Sequence, residues 1–134
     1  MSFVGAMIVG VTLAAPAVGL VYALSRQRGL DFLALQLAAI AAVYAGSSLT
    51  DGRVSVVALE VIGVVAFFSL SLFGRWGSPA LLALGYFAHG AWDAVHHLGA
   101  IPTFLPDWYA PFCLAYDWVV GVFIVARFLR RSAA

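Results

Sequence analysis

Five stretches of about twenty mostly apolar residues, each long enough to cross a bilayer as a helix, follow one another with short polar breaks between them. They run from Phe3 to Leu24, Asp31 to Thr50, Val54 to Phe73, Pro79 to Leu98 and Pro111 to Arg130. Each is too long and too rich in Ala and Leu for a barrel strand, so helices are expected. Of the 134 residues, 64% are hydrophobic and 10% charged, against about 45–50% and about 25% in soluble domains. A water-soluble domain of this size has too little interior to hide that much apolar surface. The expected fold is an all-α integral membrane protein, a single domain over residues 1–134 built as a bundle of five transmembrane helices.

The breaks carry helix-stop residues: Ser25-Arg26-Gln27-Arg28-Gly29, Asp51-Gly52-Arg53, Gly74-Arg75-Trp76-Gly77-Ser78-Pro79, and the longer Gly99 to Pro111. The first span lacks the positive lead of a signal peptide and its apolar run is too long for one, so it is expected to be retained. Pro16 in its middle is expected to kink it. In the second span Ala34, Ala38, Ala42 and Gly46 recur at every fourth position. Such a small-residue stripe lets another helix pack closely, in the same chain or in a second copy.

Arginine placement sets the orientation. With the N-terminus outside, the inner segments hold Arg26, Arg28, Arg75, Arg127, Arg130 and Arg131, and the outer ones only Arg53. The expectation is therefore N-out and C-in, a multi-pass protein of the cell membrane, with Trp108 and Tyr109 at the outer interface and Trp76 at the inner one.

Several functions are excluded. The chain has no lysine, which removes a retinal or pyridoxal Schiff base. Its single cysteine, Cys113, removes an internal disulfide and a CxxC redox pair. A net charge of +1 gives no footprint for nucleic acid, and no phosphate-binding loop is present.

The ionisable residues inside the spans are the informative ones. Glu60 lies in the third span, His89, Asp93, His96 and His97 in the fourth, and Asp117 in the fifth. An acid at mid-membrane costs roughly 2.5–3.5 kcal/mol on insertion scales, so such a residue points to function. At about 1.5 Å per residue, Glu60, Asp93 and Asp117 each fall roughly 8–9 Å below the outer surface. On the fourth helix His89, Asp93 and His96 fall within about 60° of one another, with His97 further round. Tyr44 and Ser47 reach the same level from the second span. The only cations within reach are the three histidines, a bound metal or a substrate. Two carboxyls in one dry pocket do not readily both ionise, so one is expected to carry a proton.

This pattern predicts a small intramembrane enzyme doing acid–base chemistry on a lipophilic, isoprenoid-like molecule near the outer leaflet: isomerisation, cyclisation, hydration or epoxide opening. Asp93, His89, Asp117 and Glu60 are the candidate catalytic residues. Tyr44, Tyr86, Trp92, Tyr116 and Trp118 are the candidate substrate wall, with no cofactor favoured. His89-xxx-Asp93 is similar to the His-xxx-Glu pair of the five-helix sterol isomerases, an analogy covering four residues and the helix count. The apolar segment 99–111, with three prolines, is expected to act as a lid or access gate. An alternative is a zinc or iron site formed by His89, Asp93, His96 and His97, completed by Glu60 or Asp117, serving a metal-dependent hydrolase. A transporter or proton path comes third, because the polar groups do not continue into the inner half. Membrane lipid and a second copy of the chain are the other expected partners.

Overall fold

A computed structural model describes residues 1–130. Arg131, counted above in the arginine bias, lies outside the described residues. The described chain is all-helical: α1 (Phe3–Ala23), α2 (Arg26–Asp51), α3 (Val54–Trp76), α4 (Pro79–His97) and α5 (Tyr109–Ile124), followed by a π-helical turn, Val125–Leu129.

The breaks are shorter than the stop residues suggest. The Ser25 side chain accepts the Arg28 N–H, so α2 begins at Arg26 and absorbs the Arg-Gln-Arg segment into its first turn. Arg and Gln are good helix formers, and only Leu24 and Ser25 separate the first two helices. Likewise α3 runs to Trp76, and Ser78 caps α4 ahead of Pro79 at its first position. Gly52 (φ 73°) ends α2, and Gly99 (φ 75°) lies just past α4. Both adopt the left-handed conformation that only glycine takes without strain. α1 continues unbroken through Pro16.

α4 packs against α2, α3 and α5, and α1 lies along α5. Gly10 makes that last contact possible, because a Cβ there would strike the Phe112 carbonyl oxygen. Short turns make successive helices antiparallel. The α2–α3 turn, the α4–α5 loop and the N-terminus therefore share one end of the bundle. The opposite end collects the arginines: Arg75 pairs with Asp31, Arg26 lies over the Phe128 ring and Arg127 over Tyr22.

The apolar core sits toward that arginine end. It combines Ala14 and Val21 of α1 with Leu30, Leu33 and Leu37 of α2, Leu82 and Tyr86 of α4, and Val120 and Ile124 of α5. Side chains such as Ile8, Leu35, Ile62, Val65, Leu84 and Val122 project outward, giving the apolar exterior that suits lipid.

Four helices are long and apolar enough to cross a membrane: Phe3–Ala23, Arg26–Asp51, Val54–Trp76 and Tyr109–Leu129. The remaining expected span, α4, is long enough but falls short of that apolarity. It is 19 residues long, but its second half carries three histidines and an aspartate, which lower its hydropathy. Its first half joins the apolar core and its second half builds the site. The small-residue stripe of α2 divides similarly. Ala34 is buried and its carbonyl accepts the Ser71 hydroxyl of α3, whereas Ala42 and Gly46 are exposed.

Candidate active site

The polar residues of α4 recur every three or four positions, so His89, Asp93 and His96 lie on one face, and all three are buried. α5 supplies Asp117, α3 supplies Glu60 and α2 supplies Tyr44, all buried as well.

These residues form two histidine–carboxylate pairs. In the first, His89 Nδ1 lies 2.7 Å from Asp117 Oδ2 and 3.5 Å from Asp93 Oδ2. In the second, His96 Nε2 lies 2.6 Å from Glu60 Oε1, while His96 Nδ1 lies 2.9 Å from the Trp92 carbonyl oxygen. A carbonyl only accepts, so Nδ1 of His96 carries a proton. One further proton is then held between Nε2 and the Glu60 carboxyl. The Trp92 indole N–H, 3.4 Å from the other Glu60 oxygen, helps hold that carboxyl in place.

Tyr44 joins the pairs. Its hydroxyl donates to Asp93 Oδ1 at 2.7 Å, and its ring stacks on His96. Phe67 packs edge-on to His89, closing that pair off with an apolar wall. Three buried polar atoms have no hydrogen-bond partner among the described residues: His89 Nε2, Asp93 Oδ2 and Asp117 Oδ1.

A cavity of about 230 Å³ opens above this network. Its floor is Tyr44 and His96, and its walls are His97, Thr103, Leu105, Pro106, Asp107 and Ala110. The loop is fastened to α2 where the Phe104 N–H donates to Ser47 at 3.3 Å. Segment 99–108 thus roofs the network at the end of the bundle opposite Arg26, Arg75 and Arg127.

Glu60, His89, Asp93 and Asp117 come together on three helices, but none of the four lines the cavity; they lie behind Tyr44 and His96. The expected aromatic wall is dispersed. Only Tyr44 faces the cavity. The single Tyr86 hydroxyl proton is shared between the Leu33 carbonyl and Gln36 Oε1, and Gln36 in turn donates to the Tyr116 hydroxyl, a separate chain of bonds nearer the core. Trp92 braces Glu60 at the side of the network. Trp118 is 48% exposed and lies across Gly90, its N–H donated to the Phe87 carbonyl.

The four-ligand metal set His89, Asp93, His96, His97 is not assembled. His96 is committed to Glu60, and His97 is exposed, with its ring against Phe3. The set whose ligand atoms do converge, within 4.8 Å, is His89, Asp93 and Asp117. Sequence spacing does not separate these sets, because His96 and His97 differ by only one helix step. Segment 99–111 is expected over the site, but which of its residues line the cavity is not readable from sequence, because Thr103, Leu105, Pro106 and Asp107 carry no periodic signal. Phe67, inside an apolar run, is equally silent.

The family described as "Family of unknown function (DUF6010)" matches residues 4–129. No curated protein and no solved structure matches the chain.

Proposed function

We propose that this chain, which belongs to the DUF6010 family, is an intramembrane enzyme that moves protons on a lipophilic, isoprenoid-like substrate. The observation that carries this reading is the Tyr44–Asp93 hydrogen bond at the floor of an open cavity. Asp93 draws the phenolic proton, and the Tyr44 oxygen takes a proton from a substrate carbon. The same path returns a proton to a neighbouring carbon, so the net change is an isomerisation with no group gained or lost. His96, stacked on the ring and anchored by Glu60, fixes the direction of the hydroxyl. His89 and Asp117 hold Asp93 from behind. Proton transfer by a positioned side chain contributes typically about 10²–10⁴-fold in rate.

The site lies at the end holding Arg53, and Arg26, Arg28, Arg75, Arg127 and Arg130 lie at the other. The positive-inside bias supports our reading of a multi-pass cell-membrane protein with its N-terminus and cavity outside and its C-terminus inside. Inward of the network the described hydrogen bonds continue through uncharged groups such as Tyr86, Gln36 and Tyr116, and no further buried acid or histidine follows among the described residues, which suits a blind pocket better than a proton-conducting path.

Deuterium exchange reports proton transfer to carbon whatever the substrate. The protein in lipid nanodiscs is incubated in D₂O with a membrane-lipid extract of its own cells, and the lipids are analysed by mass spectrometry. Deuterium should enter a lipophilic species with the parent and not with Tyr44→Phe or Asp93→Asn. No incorporation by folded parent, or equal incorporation by both variants, would overturn it.

A further inference from the structure

We infer that His89, Asp93 and Asp117 form a closed binding site for one divalent transition-metal ion, with zinc the best match to its donors. The inference shares residues with the proposed catalytic network but does not depend on its chemistry.

Protons are too few for the acceptors gathered at this point. Two carboxylates and one imidazole are wholly buried here, and His89 Nδ1 is the ring nitrogen that faces both acids. A single N–H on that nitrogen serves Asp117 Oδ2 at 2.7 Å, which leaves Asp93 Oδ2 at 3.5 Å without a partner. Asp117 Oδ1 is also unpartnered. The chain has no lysine, and its described arginines lie at the ends of the helices. A protonated His89 balances at most one of the two acids, so the second must either take a proton or stay an unpaired charge, which is costly in this apolar setting.

A divalent ion answers the demands at Nδ1 and at the two carboxyls, and leaves His89 Nε2 as a buried N–H without a partner among the described residues. It cancels two negative charges, and it takes the Nδ1 lone pair once the proton has left. It also gives Asp93 Oδ2 and an Asp117 oxygen a partner. Asp93 can serve both neighbours, because Oδ1 is held by Tyr44 and Oδ2 is free. The dimensions are close. Zinc holds nitrogen and oxygen at about 2.0–2.2 Å, so tetrahedral ligands stand roughly 3.4 Å apart. Here one pair stands at 3.5 Å and another at 2.7 Å, and all three donors lie within 4.8 Å. Seating the ion requires Asp117 to move away from His89 by less than about an ångström and the two carboxylates, now within 4.8 Å, to settle at that same spacing. One nitrogen and two carboxylate oxygens suit zinc, iron(II) or manganese(II) rather than a thiophilic ion.

The test uses full-length protein without a polyhistidine tag, purified in detergent, stripped with a chelator and dialysed against zinc chloride. Elemental analysis should find one zinc per chain after removal of free metal. Cobalt(II) should bind the same site and give the visible absorption of a nitrogen–oxygen centre of low coordination number, with the second Asp117 oxygen as the available fourth donor. His89→Gln and Asp117→Asn should lose the bound metal and the cobalt spectrum. His97→Ala and Glu60→Gln, outside the triad, should keep both. A folded parent that retains neither zinc nor cobalt overturns the site, as does undiminished binding in His89→Gln. Because the parent measurement needs no variant, the result stands even if a substitution fails to fold. A metal-free parent that still incorporates deuterium through Tyr44 and Asp93 removes the ion and leaves the acid–base reading. A metal-loaded parent that incorporates none does the reverse.

Discussion

Tyr44 and His96 stack with ring centroids 3.9 Å apart and planes inclined by 19°, which couples the Glu60 side of the network to the Asp93 side through one aromatic contact. Tyr44→Phe keeps this stack and removes only the hydroxyl. Its turnover should fall by about 100-fold or more, in line with the loss of a positioned proton carrier. Asp93 Oδ1 is then left unpaired, at a cost of about 1–3 kcal/mol. Deuterium incorporation and thermal unfolding in detergent check the two effects separately. Wild-type turnover in this variant would remove Tyr44 from the reaction.

The Glu60–His96 pair should answer to the kind of substitution as well as to its position. Glu60→Ala strands His96 against one carbonyl and should destabilise the protein by about 3–5 kcal/mol, the usual cost of breaking a buried pair from one side. Glu60→Gln keeps an acceptor for His96 or for the Trp92 indole and should cost clearly less. Unfolding midpoints of the two variants, compared in the same detergent, decide the point. Equal midpoints would mean that the carboxyl oxygens are not what holds His96.

Access to the cavity can be read with thiols. Cys113 is buried, so the parent should react slowly with a maleimide. Thr103→Cys, at the cavity wall, should label rapidly with a membrane-impermeant maleimide added to intact cells. Cysteine at Arg75, at the other end of the bundle, should label only after the membrane is opened. The reverse pattern would invert the proposed orientation.

Two glycines predict opposite outcomes from the same change. A Cβ at Gly10 would meet the Phe112 carbonyl oxygen, whereas one at Gly46 meets nothing within 4 Å. Gly10→Ala should therefore destabilise by about 1–3 kcal/mol through forced separation of α1 and α5. Gly46→Ala should be neutral or stabilising by up to about 1 kcal/mol through helix propensity. Thermal unfolding of both variants is sufficient. A neutral Gly10→Ala would mean that the two helices do not approach this closely.

The helices are legible in the sequence because an apolar run of this length has few other ways to be satisfied. The shared face of His89, Asp93 and His96 is legible because helical periodicity is rigid. The three acids can be set at one depth by counting residues from the ends of their helices. Pairing is not legible. That His89 meets Asp117 while His96 meets Glu60 depends on which helices flank α4, and no periodicity encodes neighbour order. Trp118 shows the same limit. It lies next to Asp117 in sequence, yet one helix step turns it to the outside, where Gly90 leaves space for its indole. α2 begins earlier and α3 ends later than their apolar runs suggest, because arginine is an ambiguous stop signal. A charged residue in a terminal turn can extend its head into water while its backbone stays helical.

The uneven make-up of α4 also bears on how the protein is made. A nascent helix is admitted to lipid largely on its own hydrophobicity, and buried-type acids and histidines weigh against it. α4 alone offers the bilayer His89 and Asp93 with no partner from its own sequence beyond each other. Asp117, which completes the set, leaves the ribosome only after the loop and the first turns of α5. A chain halted before Tyr109 should therefore hold α4 loosely, in the translocation channel or at the membrane surface. Release into lipid is expected to wait for α5, so that the last two helices enter the bilayer as a hairpin.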